Sequence, residues 1–264
     1  MRDSVMAPRT EKVARPYLRR LVIIVVVTTI VVTVACWPTT RLIGVNHVVS
    51  TERMPLWAKA TDFIDRDANL DSAVRSILGG VSGEEAKAAA ALAWTRANIR
   101  PVPEGFPVVD DHVWHIMVRG YGVDDQRADV FTTLLTYDGI PAYWMVIGQQ
   151  PHMATVSYAR VDGLWRVYDV SSGIVFKNER GELATPDELS GNHDLVRASA
   201  TGAVADVDGY VAAFDDYTAP MAPDVLRADL QMPSRRLWYQ MRKLFGKQGR
   251  EWQMHAAPSK GIAP

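Results

Sequence analysis

One residue of the 264 is a cysteine, Cys36, and it closes a long apolar run. The polar part of the chain therefore has no thiol for acyl transfer, no internal disulfide and no thiolate zinc site. His112 and His115 stand as H-x-x-H, a spacing that can put both imidazoles on one helix face. Zinc would need a third protein ligand. Asp110, Asp111 and Asp124 are the neighbouring candidates, but nothing in the spacing fixes such a geometry, and neither a metal nor a cofactor is expected. Asp206-Val207-Asp208-Gly209 starts like a calcium loop, but the later ligands do not follow. It is read as a solvated turn. His47, His193 and His255 have no supporting neighbours. Asp124 opens an amphipathic stretch, where aspartate is among the best capping residues, and Asp125 in the first turn suits the helix dipole. The net charge of -1 does not point to nucleic acid.

These side chains need a scaffold, and the pattern supplies one. Residues 55–78 hold apolar positions at helical spacing. Gly79-Gly80 breaks that run, and Ser82 with Glu85 three residues on forms a capping-box signature for the alanine-rich helix that follows. Pro101, Pro103 and Pro107 mark a loop, and Asp110–Val118 reads as a short helix. After the turn Gly120-Tyr121-Gly122 a helix is expected from Asp124 to about Tyr137, with Ala128, Phe131, Leu134 and Leu135 on one face; Gly139 and Pro141 end it. Short strands then follow at Tyr143–Ile147, Met153–Tyr158, Leu164–Tyr168 and Ile174–Phe176, rich in β-branched and aromatic residues. Asp162-Gly163 is a hairpin turn. Asn178–Gly181 closes the last strand, and Thr185, Pro186 and Glu188 start another helix. Helices followed by an antiparallel meander define an α+β domain. No repeat or low-complexity tract is present, and the segment 196–233 has no reading.

Ser234 begins a last helix, with Leu237, Trp238, Met241, Leu244 and Phe245 on one face and Arg235, Arg236, Arg242 and Lys243 on the polar side. Such a helix suits an anionic membrane surface; docking on the domain with a wet basic face is the equal alternative. Residues after Trp252 read as disordered.

Leu21–Trp37 reads LVIIVVVTTIVVTVACW, without a charge. That is the short end of what a bilayer needs. Arg2, Arg9, Lys12, Arg15, Arg19 and Arg20 precede it against Asp3 and Glu11. The positive-inside rule keeps that tail in the cytoplasm and sends the C-terminal part across. The rivals are a cleaved signal peptide, disfavoured by the long basic region and by Trp37-Pro38, and a lipoprotein signal at Thr33-Val34-Ala35-Cys36, disfavoured by Thr33 and Trp37. The uncleaved anchor is the reading adopted; all three put the rest of the chain outside the cytoplasm.

The runs NIRPVP (98–103), HIMVRGYGVDDQRADVFTTLLTYDGIPAYWMVI (115–147) and HMATVSYARVDGLWRVYDVSSGIVF (152–176) resemble, in order and spacing, the transglutaminase-like superfamily. The resemblance covers roughly residues 80–195. It implies a papain-like core, a helix packed on an antiparallel sheet. It also implies a site in which a cysteine at the helix start is deprotonated by a histidine that an aspartate orients. His152 takes the histidine's position and Asp169 the aspartate's. Asp124 falls where the cysteine belongs, and a carboxylate does not replace a thiolate in acyl transfer.

The resulting organisation is a cytoplasmic basic tail (1–20), a transmembrane helix (21–37), a linker and helical lead-in (38–79), the transglutaminase-like domain (80–195) and a C-terminal extension (196–264). The function expected is that of an inner-membrane, single-pass pseudoenzyme whose periplasmic domain binds a peptide, a glycan or an envelope protein. Two alternatives stay open. One is a hydrolase of altered chemistry that uses Asp124, His152 and Asp169. The other is a structural membrane protein with a decayed site.

Overall fold

A computed structural model describes residues 14–45, 48–106, 108, 112–247 and 249–254. Pro107, Asp110, Asp111, His47 and His255 lie outside them, as do Arg2, Asp3, Arg9, Glu11 and Lys12. The chain divides into two units, residues 1–42 with 50–62 and residues 43–49 with 63–264.

In the first unit, helix α1 (Ala14–Ala35) contains the apolar stretch Tyr17–Ala35. None of that stretch is buried, and it is long and apolar enough to cross a membrane; a signal sequence meets the same test. Thr29 Oγ1 donates to the Val25 carbonyl at 2.8 Å, which satisfies its hydroxyl within the helix. Residues 38–45 and 48–50, expected as a linker, instead belong to two paired strands, β1 (Pro38–Val45) and β2 (Val48–Pro55). The Thr39 hydroxyl donates to the Met54 carbonyl at 2.9 Å, a long-range bond that local composition does not announce. Helix α2 (Leu56–Leu78) follows; its residues from Phe63 on belong to the second unit, and there Leu70, Val74 and Leu78 are buried.

The second unit carries α3 (Glu84–Asn98), α4 (Val113–Arg119) and α5 (Asp124–Tyr137). Four antiparallel strands come next, β3 (Ala142–Gln149), β4 (His152–Val161), β5 (Leu164–Asp169) and β6 (Ile174–Val175), paired in chain order. Two capping expectations are corrected. Helix α3 starts after Gly83, at φ 88°, with no side-chain cap. Glu84, its first residue, instead accepts the Asp162 N–H at 2.6 Å on the β4–β5 turn. Helix α5 is capped at Val123, whose N–H is taken by Gln126 Oε1 at 3.2 Å, so Asp124 is the first helical residue and not the cap. The β4–β5 turn follows its sequence signature: Asp162 and Gly163 both have positive φ, 50° and 79°.

The core has two layers, one on each face of the sheet. Phe131, Leu134 and Leu135 of α5, with Leu92 of α3 and Leu78 of α2, bury against Ala142, Ala159 and Tyr168. The alternate residues Tyr143, Met145, Val156, Tyr158 and Val167 turn to the other face. That face is covered by the chain from Pro186 to Tyr217. It folds as α6 (Pro186–Leu189), α7 (His193–Ala200) and α8 (Val207–Ala212), and Leu195, Val196, Phe214 and Tyr217 fill the second layer. Thr185 and Glu188 cap α6 reciprocally, as their spacing implied. The Asp206–Gly209 stretch is not a free turn: Asp206 accepts the Gly209 N–H at 2.9 Å and caps α8. His193 stands 3.6 Å from Asp215, a partner the sequence did not suggest. A short 3₁₀ turn (Ala228–Gln231) leads into α9 (Pro233–Leu244). Beyond it Trp252 and Met254 lie along β3. The Val146 N–H donates to the Met254 carbonyl at 2.8 Å, and Trp252 Nε1 donates to the Trp144 carbonyl at 2.5 Å.

Candidate functional site

The start of α5 is fixed by the two motifs flanking it. Arg100 and Tyr121 bridge in parallel, with the Arg100 N–H donating to Gly120 and the Gly122 N–H to Arg100, so the NIRPVP run is tied to the Gly-Tyr-Gly turn. Arg119 Nη2 donates to the same Gln126 oxygen that caps α5, at 3.2 Å. Asp124 emerges from this knot exposed, at the positive end of the helix dipole. Its charge reaches both Arg127, one turn on, and Asp169.

Asp169 ends β5 and is 3 % exposed. Its Oδ1 accepts the Ser172 N–H at 3.0 Å and its Oδ2 accepts the Tyr210 hydroxyl at 2.9 Å. Burial raises the Asp169 pKa and outweighs these two bonds; the Asp124 charge pushes the same way. Burial, and then the Asp169 carboxylate, raise the Tyr210 hydroxyl in turn. Tyr210 lies 41 residues from Asp169 along the chain, on a short helix that no sequence signal connects to β5.

His152 opens β4 opposite Gln149 and is exposed. Tyr168 pairs with Ser157, so Asp169 lies level with Val156. His152 is four residues further along β4, roughly 13 Å away at the usual strand rise. Its ring lies against α8, where a Cβ on Gly209 would stand 3.0 Å from Nδ1. The structure thus brings Asp124 and Asp169 within electrostatic reach of each other. Among the described residues no hydrogen bond or ion pair joins His152 to either. His112 caps α4, its Nδ1 accepting the Trp114 N–H at 3.3 Å, with its ring 6.3 Å from that of His115. No group of three metal-ligating side chains gathers among the described residues.

Sequence reasoning passed over two arginines. Arg96 of α3 and Arg127 of α5 line an open groove of about 490 Å3, with Ala89, Ala93 and Ala97 on one side and Val175 on the other. Arg127 is 6 % exposed; its Nη1 reaches the Ser171 carbonyl at 3.4 Å, and its Nε has no partner among the described residues. Burial, and then the nearby Arg96 charge, lower its pKa, while Asp124 and Asp169 oppose the shift. Arg96 lies over Gly173, whose φ is 73° and whose absent Cβ would fall 2.1 Å from the guanidinium carbon. Only glycine gives both the turn and the room. The alanines at i, i+4 and i+8 of α3 were legible as helix formers, but nothing in their spacing said that they would border a groove.

A buried carboxyl with a raised pKa binds its proton more tightly in the folded chain. The stability this adds is complete below the unfolded pKa and is lost as pH rises through the raised folded value. Asp169→Asn keeps the size and can still pair with both Ser172 and Tyr210. Its melting temperature is expected to gain on the native chain's as pH rises above about 4, the ordinary aspartate value. A gap that does not change with pH would show that the Asp169 proton is bound equally in both states.

No family model matches the sequence, and no curated protein matches it. Solved structures similar to it include one described as a putative cysteine protease from Cytophaga hutchinsonii, 16 % identical over 46 % of this chain and 45 % of that one, TM-score 0.37. Another is described as a putative protease from Parabacteroides distasonis, 12 % identical over 51 % of this chain and 39 % of that one, TM-score 0.31. A third is described as a TGase, 12 % identical over 51 % of this chain and 43 % of that one, TM-score 0.33. The chain spans less than half the length of each. By its own architecture the second unit is an α+β domain, with helices on both faces of an antiparallel sheet.

Proposed function

We propose that this chain is a single-pass membrane protein whose transglutaminase-like domain lies outside the cytoplasm, lacks cysteine-dependent acyl transfer and acts as a binding module in the cell envelope. The observation that carries the reading is the nucleophile position. Asp124 stands at the start of α5, where the resemblance implies a cysteine, and the chain's one thiol is Cys36 at the end of α1. The Tyr210 hydroxyl on Asp169 supports it, because that carboxyl is already engaged on both oxygens. The groove supports binding in place of chemistry. A largely buried guanidinium beside an exposed one, over alanine side chains, suits a carboxylate attached to a small apolar group, such as a peptide C-terminus.

Titrating the full chain with short peptides ending in a free carboxylate, and with their amidated counterparts, tests this directly. Binding should require the carboxylate. It should weaken roughly 10- to 100-fold in Arg127→Met, the range of a charge-assisted bond, and change little in Asp124→Ala, with the peptide mass unaltered throughout. Peptide cleavage lost in both Asp124→Ala and His152→Ala would sink the binding module in favour of a hydrolase. Equal affinity for amidated peptides would remove the carboxylate from the reading.

A further inference from the structure

Helix α9 sits on its unit with its most apolar face outward. The residue it buries is Tyr239, whose hydroxyl donates to Glu251. On the flanks Arg235 pairs with Asp229, and Arg236 lies over the Phe63 ring at 5.3 Å. Leu237, Trp238, Met241 and Leu244 recur at the spacing of one helix face and point away from Tyr239. They are 63, 62, 42 and 84 % exposed, and Phe245, just beyond the helix, is 76 % exposed. Single exposed apolar residues are ordinary, but five large ones in a row mark a surface that something covers.

The charges say what. From Pro233 to Lys247 the chain carries Arg235, Arg236, Arg242, Lys243 and Lys247 and no acidic residue. Arg242 and Lys247 have no ion pair among the described residues, and the Lys243 ammonium stands at 3.7 Å from Glu251 with both half-exposed. An apolar face with cations beside it fits the boundary between anionic headgroups and acyl chains, where a tryptophan is also at home. The chain's own apolar helix, Tyr17–Ala35, would hold such a face near a bilayer, so a weak surface affinity suffices.

We propose that α9 is a second membrane contact, which lays Leu237, Trp238, Met241, Leu244 and Phe245 into the interface of a bilayer containing anionic lipid. The proposal rests on the membrane-anchor reading. The test uses the full chain with Cys36→Ser and a single new cysteine, Leu237→Cys or Met241→Cys, carrying an environment-sensitive fluorophore. It is reconstituted in phosphatidylcholine vesicles with and without phosphatidylglycerol. Glu179→Cys, on the exposed Asn178–Gly181 turn, is the control. Emission at positions 237 and 241 should rise several-fold when phosphatidylglycerol is present. It should be quenched by lipids labelled high in the acyl chain, and the rise should shrink in Arg242→Glu. Position 179 should not respond.

A label at 237 as open to aqueous iodide as the one at 179, with anionic lipid present, would overturn the proposal. So would protection that is independent of lipid charge and grows with protein concentration, which would assign the face to a second copy of the chain. Alkaline extraction of the vesicles reports separately on the anchor. A chain that resists extraction while its label stays wet loses the α9 contact alone; in a chain that extracts, the anchor fails and the label still decides for α9.

Discussion

Arg227→Ala is expected to lower folding stability by about 3–5 kcal/mol, the cost of stranding a buried charge. Its partner Asp129 lies in the middle of α5 with its side chain 3 % exposed. Oδ2 of Asp129 accepts Arg227 Nε at 2.8 Å, and Oδ1 accepts Trp144 Nε1 at 3.2 Å. The guanidinium also lies 5.1 Å from the Trp252 ring centre. One carboxylate therefore joins α5, β3 and a segment 98 residues further along the chain. Removing the arginine takes the Arg227 charge away from a buried carboxylate. Removing both charges, as in Asp129→Leu with Arg227→Met, should cost much less than the single change, because no desolvated ion remains. Urea unfolding of the full chain measures both. A loss below about 1 kcal/mol for Arg227→Ala would mean that water reaches Asp129 and that the pair behaves as a surface one.

Phe131→Ala should be of similar size, about 3–5 kcal/mol, for a different reason. Phe131 is fully buried on the sheet side of α5, and its ring centre is 5.4 Å from that of Tyr168. Its neighbours Leu134 and Leu135 are held by the same helix against the same strands, so the space it leaves cannot collapse without moving α5. Phe131→Leu refills most of that volume and should recover most of the loss. Equal melting curves for Phe131→Ala and Phe131→Leu would show that α5 shifts to close the gap. The start of α5 would then be less rigid than the Gln126 cap and the Arg100–Tyr121 bridge imply.

What the sequence announced was local. The turn Gly120-Tyr121-Gly122, the stop at Gly139 and the hairpin at Asp162-Gly163 are written in residues that tolerate few other backbone shapes, and α5 and the meander appear where those residues put them. What it did not announce depends on partners far along the chain. The one-residue slip at Ser82 and the cap at Val123 each turn on one side chain that found a better partner elsewhere, Glu84 on the Asp162 N–H and Gln126 on Val123. The second core layer is built from Leu195 and Val196 of the eight-residue helix α7 and from Phe214 and Tyr217 in the turns after α8, stretches too short to announce a shared buried face. The candidate site divided in the same way. Asp124 and Asp169 follow from element boundaries, whereas Tyr210 and the Arg96–Arg127 groove exist only through packing. The amphipathic pattern of α9 was plain, but which face would turn outward was decided by Tyr239.

The bonds from Trp252 and Met254 to β3 bear on how the protein ages. β3 is the outermost strand of its sheet, and such a strand readily recruits another chain through its open row of peptide groups. Here the Trp144 carbonyl and the Val146 N–H are already taken. A protease that cut between Gly246 and Arg250 would leave the buried residues of both core layers in place, lose only the covering Trp252, and free that row. The damaged molecule would remain folded and become adhesive to its own kind, so clipping and self-association should be found together in stored or stressed material.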